Sequence, residues 1–303
     1  MSMITILGSV ETGLIFAIMS LGIYITFTIL NFPDLTVDGS FTLGCVISAL
    51  FAFHGHPILG VFLAMMAGGI AGLTTGFLHT KLKVQYILSG ILTMTALYSI
   101  NLKIADGKPN FSLFGKDTIF SLFENFLIRC KLNFLTPYSE VLLSFLLTIV
   151  ALGFLYLFFK TQCGMAIRAT GDNEKMVRAS SINTDAMKML GLAIANAYVS
   201  LSAAIFAQYQ LFYDISLGIG MMVVGLTSII LGETIFGKRN LLNSFISLVL
   251  GAIIYRLLLS FALYIGMNPN DWKLMCALLV AFAISLPTIK TYFMKRGVQH
   301  ARH

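Results

Sequence analysis

The chain has 303 residues, of which 57% are hydrophobic and only 11% charged, with a net charge of +7 and a mean hydropathy of +0.87. Soluble domains carry about 25% charged residues, and a soluble fold of this length could not hide so much apolar surface. That excludes a soluble enzyme or a nucleic-acid-binding domain and leaves an all-α, polytopic membrane bundle. The apolar stretches lack the period-two alternation of a barrel strand, so helices satisfy the buried backbone.

A span needs about 20 apolar residues. The first candidate is 11–30, with no Lys or Arg before Lys81, so it lacks the basic start of a signal peptide and is expected to be retained. Pro33 then prevents a continuous helix through 31–40. Asp34 and Asp38 follow, four residues apart. They read either as part of a turn in which Asp38 or Ser40 caps the next helix, or as intramembrane carboxylates. The second candidate, 40–54, is short, and His54 and His56 in the turn after it are too few for a metal site. The third, 58–79, carries Gly68, Gly72 and Gly76 at four-residue spacing, a face for close helix packing. The fourth is 84–102. An outer loop at 102–137, mixed polar and aromatic, reads as a partly ordered external cap, and 138–159 is the fifth span.

The inner loop, 160–186, reads KTQCGMAIRATGDNEKMVRASSINTDA. Asp172 is placed to cap a short helix, Glu174 and Arg178 to pair on one face, and Thr184 to cap the next span. A short amphipathic helix on the membrane surface follows. The pattern alone leaves open whether it docks a partner or is a solvated connector. The sixth long span, 187–211, holds Asn196, Gln208 and Gln210, amides suited to bonds between helices or to a polar path. The next, 218–236, runs into GETIFGKR (232–239). A phosphate-binding loop needs Ser or Thr after the lysine and small residues before it. Arg239 and the bulky Ile235 and Phe236 make this a basic membrane exit instead. The span 241–265 contains Arg256, read either as snorkelling or pairing structurally with an acid, or as contacting a substrate carboxylate. The last candidate is 273–290. The four cysteines (Cys45, Cys130, Cys163, Cys276) show no metal or redox spacing.

With the C-terminal tail inside, thirteen Lys and Arg fall on the inner side and six outside, as the positive-inside bias requires. The N-terminus is then outside if all nine segments cross, and inside if 31–54 is only re-entrant.

Three stretches carry a resemblance: FPDLTVDGSFTLG near the N-terminus, GMAIRATGDNEKMVRASSINTDAMKMLGLAIANAYVSLSAAIFAQYQ, and DISLGIGMMVVGLTSIILGE at 214–233. They resemble ABC-transporter permeases of the branched-chain amino acid and ribose type, along almost the whole chain. Similar permeases carry a tryptophan/tyrosine uptake label. The resemblance implies a single permease domain over 1–303 with a type II importer-like bundle of about 8–10 spans in the cell (inner) membrane. It further implies a second permease copy, separate cytoplasmic ATPase subunits holding the ATP and Mg, and an external substrate-binding protein. No cofactor and no catalytic residue are expected in this chain. The coupling role is carried to Gly164, Arg168, Ala169, Gly171, Asp172, Asn173 and Ala179, beside the Glu174 and Arg178 pair. Ser180 and Ser181 depart from the small apolar residue and Gly expected there. Asp34, Asp38, Asn196, Gln208 and Arg256 become candidates for the translocation path. An ion-gradient-driven secondary transporter is the rival, and it would require an inverted repeat with paired intramembrane charges.

Overall fold

The computed structural model describes residues 3–266, with Leu274, Leu278, Ala281 and Ser285 beyond them; the candidate span 273–290 otherwise lies outside the described residues. Seven helices among the described residues are long and apolar enough to cross a membrane, and an eighth is shorter. The fold is a polytopic helical bundle.

Helix α1 (Met3–Tyr24) continues through a π-helical turn, Ile25–Ile29, so the first span is longer than the 11–30 read from hydropathy. Asn31, at a positive φ of 51°, breaks it, and Pro33 prevents its resumption. Helix α2 (Thr36–Phe53) starts four residues earlier than expected and is continuous, a crossing rather than a re-entrant half. Helices α3 (Pro57–Thr80) and α4 (Tyr86–Ile104) follow. The outer loop is ordered: strand β1 (Asn110–Ser112), helix α5 (Ile119–Arg129) and a 3-10 turn, Asn133–Tyr138, lead into α6 (Ser139–Phe159). The inner loop folds into two helices, α7 (Gln162–Asp172) and α8 (Glu174–Ala179). Helix α9 (Thr184–Gln210), strand β2 (Phe212–Asp214), α10 (Met221–Phe236) and α11 (Leu241–Tyr264) complete the order. Strands β1 and β2 pair antiparallel, with Phe111 opposite Tyr213.

Packing sorts the helices into a centre and a rim. α1 is buried over 89% of its most apolar window, whereas α4 and α6 are buried over 28% and lie at the rim. α9 lies between α1, α2 and α3 and carries the core. Its approach to α3 depends on the glycine row. A Cβ on Gly72 would overlap the Leu192 carbonyl oxygen, and one on Gly68 would lie 2.5 Å from the Asn196 carbonyl oxygen. With no apolar driving force between helices in lipid, such close backbone contact and interhelical hydrogen bonds hold the bundle together. Ser200 donates to the Ser40 carbonyl (2.7 Å), Ser202 to Ile15 (2.7 Å), Ser48 to Ala204 (2.9 Å), Thr148 to Leu14 (3.0 Å) and Tyr198 to Ala151 (2.9 Å).

The connectors gather on two faces. On one face, Phe32 packs on His79 and Tyr86, the Asn31 amide donates to the Gly171 carbonyl, and Lys238 lies over the Tyr24 ring. The 30–35, 81–85, 160–183 and 237–240 connectors therefore share one side, the basic inner one. On the opposite face lie the α2–α3 turn, the β1–β2 pair and α5. Among the described residues, the helix order puts Met3 on the face opposite these basic connectors.

Candidate functional site

The inner segment is built by local capping. Thr161 caps α7 by accepting from the Gly164 N–H. Asp172, expected to cap the short helix, is instead the last residue of α7. Asn173 does the capping, accepting from Met176 N–H at 3.1 Å. Asn183 likewise takes the capping role expected of Thr184, accepting from Ala186 N–H at 3.1 Å. The hydropathy reading missed α7 altogether, because its polar residues resemble those of a connector.

Both short helices are fastened to the bundle. Gly164, Ile167 and Thr170 are buried beneath α7, and a Cβ on Gly171 would overlap the Ile29 carbonyl oxygen, so this end of α7 lies directly on the end of the first span. α8 is tied to α9 by charge. Arg178 pairs with Glu174 and with Asp185, both at 3.1 Å, and donates to the Thr184 hydroxyl at 2.8 Å. Lys188 donates to Glu174 at 2.7 Å, and this bond holds the Glu174 carboxyl below the usual carboxylate range. Val177 is buried under α8, while Met165, Met176 and Ile182 protrude outward. Arg168 and Asp172, with Lys238 and Arg239 from the α10–α11 connector, line a polar cavity of about 430 Å³ beside α7. Ala169 is half-buried and Ala179 exposed. Lys238 of the GETIFGKR stretch folds back on Glu233 at 3.4 Å, after Gly237 ends α10 at a φ of 78°.

The polar residues of the spans occupy separate positions. Asp34 is 1% exposed. It accepts from the Thr36 N–H (2.9 Å), fixing the start of α2, and from the Asn196 amide (2.7 Å), joining that start to α9. Gln208 bridges three elements near the outer face: it donates to Ser48 (2.9 Å) and to the Pro57 carbonyl (3.0 Å) and accepts from Ile119 N–H (2.8 Å). Arg256 faces α1, donating to Thr12 at 3.0 Å with its guanidinium 4.7 Å from the Phe16 ring centre. Nearby, Tyr209 donates to Glu11, a buried acid that segment-level reading passed over within the apolar first helix.

Asp38 lies elsewhere and does not cap its own helix. Its carboxylate accepts from the Gly220 and Met222 N–H groups, both at 2.9 Å, and so caps α10. Phe41 packs on Phe16 at the middle of α1, and a Cβ on Gly225 of α10 would meet Ile23. α10 therefore begins near the middle of the bundle, and 215–220 dips in from the face of the β1–β2 pair to reach it. That is why this helix is short.

Residues 5–285 match the model of a family described as branched-chain amino acid transport system / permease component. The chain belongs to that family. A tyrosine transport system permease protein of Clostridioides difficile is 37% identical over 276 residues, covering 91% of this chain and 88% of that one. An uncharacterized protein of Rickettsia prowazekii is 32% identical over 94% of this chain and 98% of its own. A ribose import permease of Escherichia coli is 27% identical over 78% and 72%. No solved structure matches the chain. The permease is thus a transport subunit of ABC type and a multi-pass protein of the cell (inner) membrane.

Proposed function

We propose that this permease is the membrane half of an ATP-driven importer that carries an amino acid, aromatic ones included, into the cell. Its partners are separate ATPase subunits that bind ATP and Mg, a second copy of the permease, and an external binding protein that delivers the solute. The chain supplies the path and the transmission, not the hydrolysis. The amino-acid substrate is carried over from the tyrosine permease relative, which is more similar to this chain than the ribose permease.

The observation that carries the reading is the way α7 and α8 are fastened. A segment that only linked two spans would need no such anchorage. Here α7 lies on the end of the first span and α8 is ion-paired to α9, the helix about which the bundle packs. A displacement of α8 must therefore be passed to α9 and on to α2 and α3. Met165, Met176 and Ile182 are exposed apolar side chains on this segment, and an ATPase groove on the cytoplasmic side would receive them. ATP-driven closure of the ATPases would then switch the bundle between outward and inward access, since each state offers different contacts.

Met176→Asp together with Met165→Asp tests the docking. In detergent, the wild-type chain should retain a separate subunit carrying a complete phosphate-binding loop, and the double variant should lose it while still inserting and melting normally. Active transport by the permease without any such subunit would end this reading.

A further inference from the structure

α3 and α4 stand apart along part of their length and leave an apolar groove of about 850 Å³, floored by Leu43 and Ile47 of α2. It is open on one side, and Ile70, Phe77, Leu92 and Ile100 along it are exposed. The two hydroxyls on its wall, Thr74 and Thr93, donate to the Ala71 and Ser89 carbonyls of their own helices, at 2.7 and 3.0 Å. The wall therefore asks for no polar occupant. Along α3 the lining runs from Ala67 to Leu78, about 17 Å at 1.5 Å per residue, and stops two residues short of the inner end of the helix. That is close to the depth of one leaflet, half of a hydrocarbon core about 30 Å thick. Just past that end, in the α3–α4 connector, Lys81 and Lys83 are exposed and have no ion-pair partner among the described residues.

An apolar slot one leaflet deep, with two unpaired cations at its inner mouth, has the polarity of a phospholipid turned inside out. The acyl chain matches the wall, and an anionic headgroup matches the lysines, in the leaflet where anionic lipid attracts basic residues. A second copy of this chain fits less well, because an isologous contact would set the same concave surface against itself. We propose that the groove holds an acyl chain of an anionic phospholipid of the inner leaflet, with Lys81 and Lys83 receiving its phosphate. The chain fills the space between α3 and α4 that no side chain of the bundle occupies, and restores dispersion contacts to both walls.

The full chain, purified in detergent and stripped of lipid, is titrated with dioleoyl phosphatidylglycerol or dioleoyl phosphatidylcholine, and bound lipid is read from its intact mass. Phosphatidylglycerol should bind about tenfold more tightly than phosphatidylcholine, and Lys81→Gln with Lys83→Gln should bring the two level. Ala96→Trp, at an exposed position on the groove wall, should block both lipids while leaving the melting temperature unchanged. A wild-type chain that binds neither lipid, or prefers neither, would overturn the proposal. So would binding that survives Ala96→Trp. Should that variant fail to insert, the lysine variant decides alone, and a preference for phosphatidylglycerol that survives it is a refutation. Ala96→Cys, with the four native cysteines replaced by Ser, addresses the other occupant. It should form no disulfide between chains in the membrane; a cross-linked dimer would put a second copy, not lipid, over the groove.

Discussion

Asp34, just before α2, and Asp38, in its first turn, do different work because they meet different neighbours. Asp34 faces α9 and is satisfied by the Asn196 amide and the Thr36 N–H, whereas Asp38 faces α10 and caps it. A buried carboxylate that loses a partner retains its desolvation cost. Asn196→Leu should therefore lower the stability of the detergent-solubilised permease by about 2–3 kcal/mol. Adding Asp34→Leu should recover part of that loss, because the orphaned charge is removed with its partner. Thermal melting of the three proteins measures both effects. An Asn196→Leu protein that melts like the wild type would show that the amide contributes nothing.

Between helices, the glycine row on α3 and the charge clamp on α8 are the two devices that set relative position. Gly72→Leu must push α3 off α9, at a cost of about 3 kcal/mol. Gly153 on α6, with open space where a Cβ would be, should accept Leu without loss of melting temperature. The clamp is electrostatic, and its pH dependence follows from Glu174. Its folded carboxyl titrates below the ordinary value of 4.5, through the Lys188 bond first. The stabilisation is thus fully present above pH 4.5 and fades only as acid takes the pH through the lower folded value. Amide hydrogen exchange over 174–179, corrected for intrinsic rates, should be slow at pH 7 and should quicken only in that acid window. Glu174→Gln should quicken it already at neutral pH.

At the scale of the whole molecule, the crossing of α2 decides the sidedness of everything before it. Because α2 is continuous, Met3 lies on the same side as the α5 cap, and the positive-inside bias assigns the α7–α8 segment to the opposite, inner side. Cys130, exposed just after α5, and Cys163, exposed on α7, report the two sides. In intact cells freed of any outer wall barrier, a membrane-impermeant maleimide should label Cys130. Cys163 should react only after the membrane is opened. The reverse pattern would invert the topology and leave the fastened segment beyond the reach of a cytoplasmic ATPase.

Local chemistry was enough to read the membrane class, the approximate spans and the Gly68–Gly72–Gly76 packing face, because each depends on hydropathy or spacing along one element. The Glu174–Arg178 pair was legible for the same reason, being four residues apart on one turn of helix. Tertiary structure alone decided that α2 crosses, that Asn173 and Asn183 rather than Asp172 and Thr184 cap their helices, and that Asp38 serves a helix 182 residues away. A carboxylate or amide has no preference for a partner nearby in sequence over one brought close by folding, so its role is set only once the helices are packed.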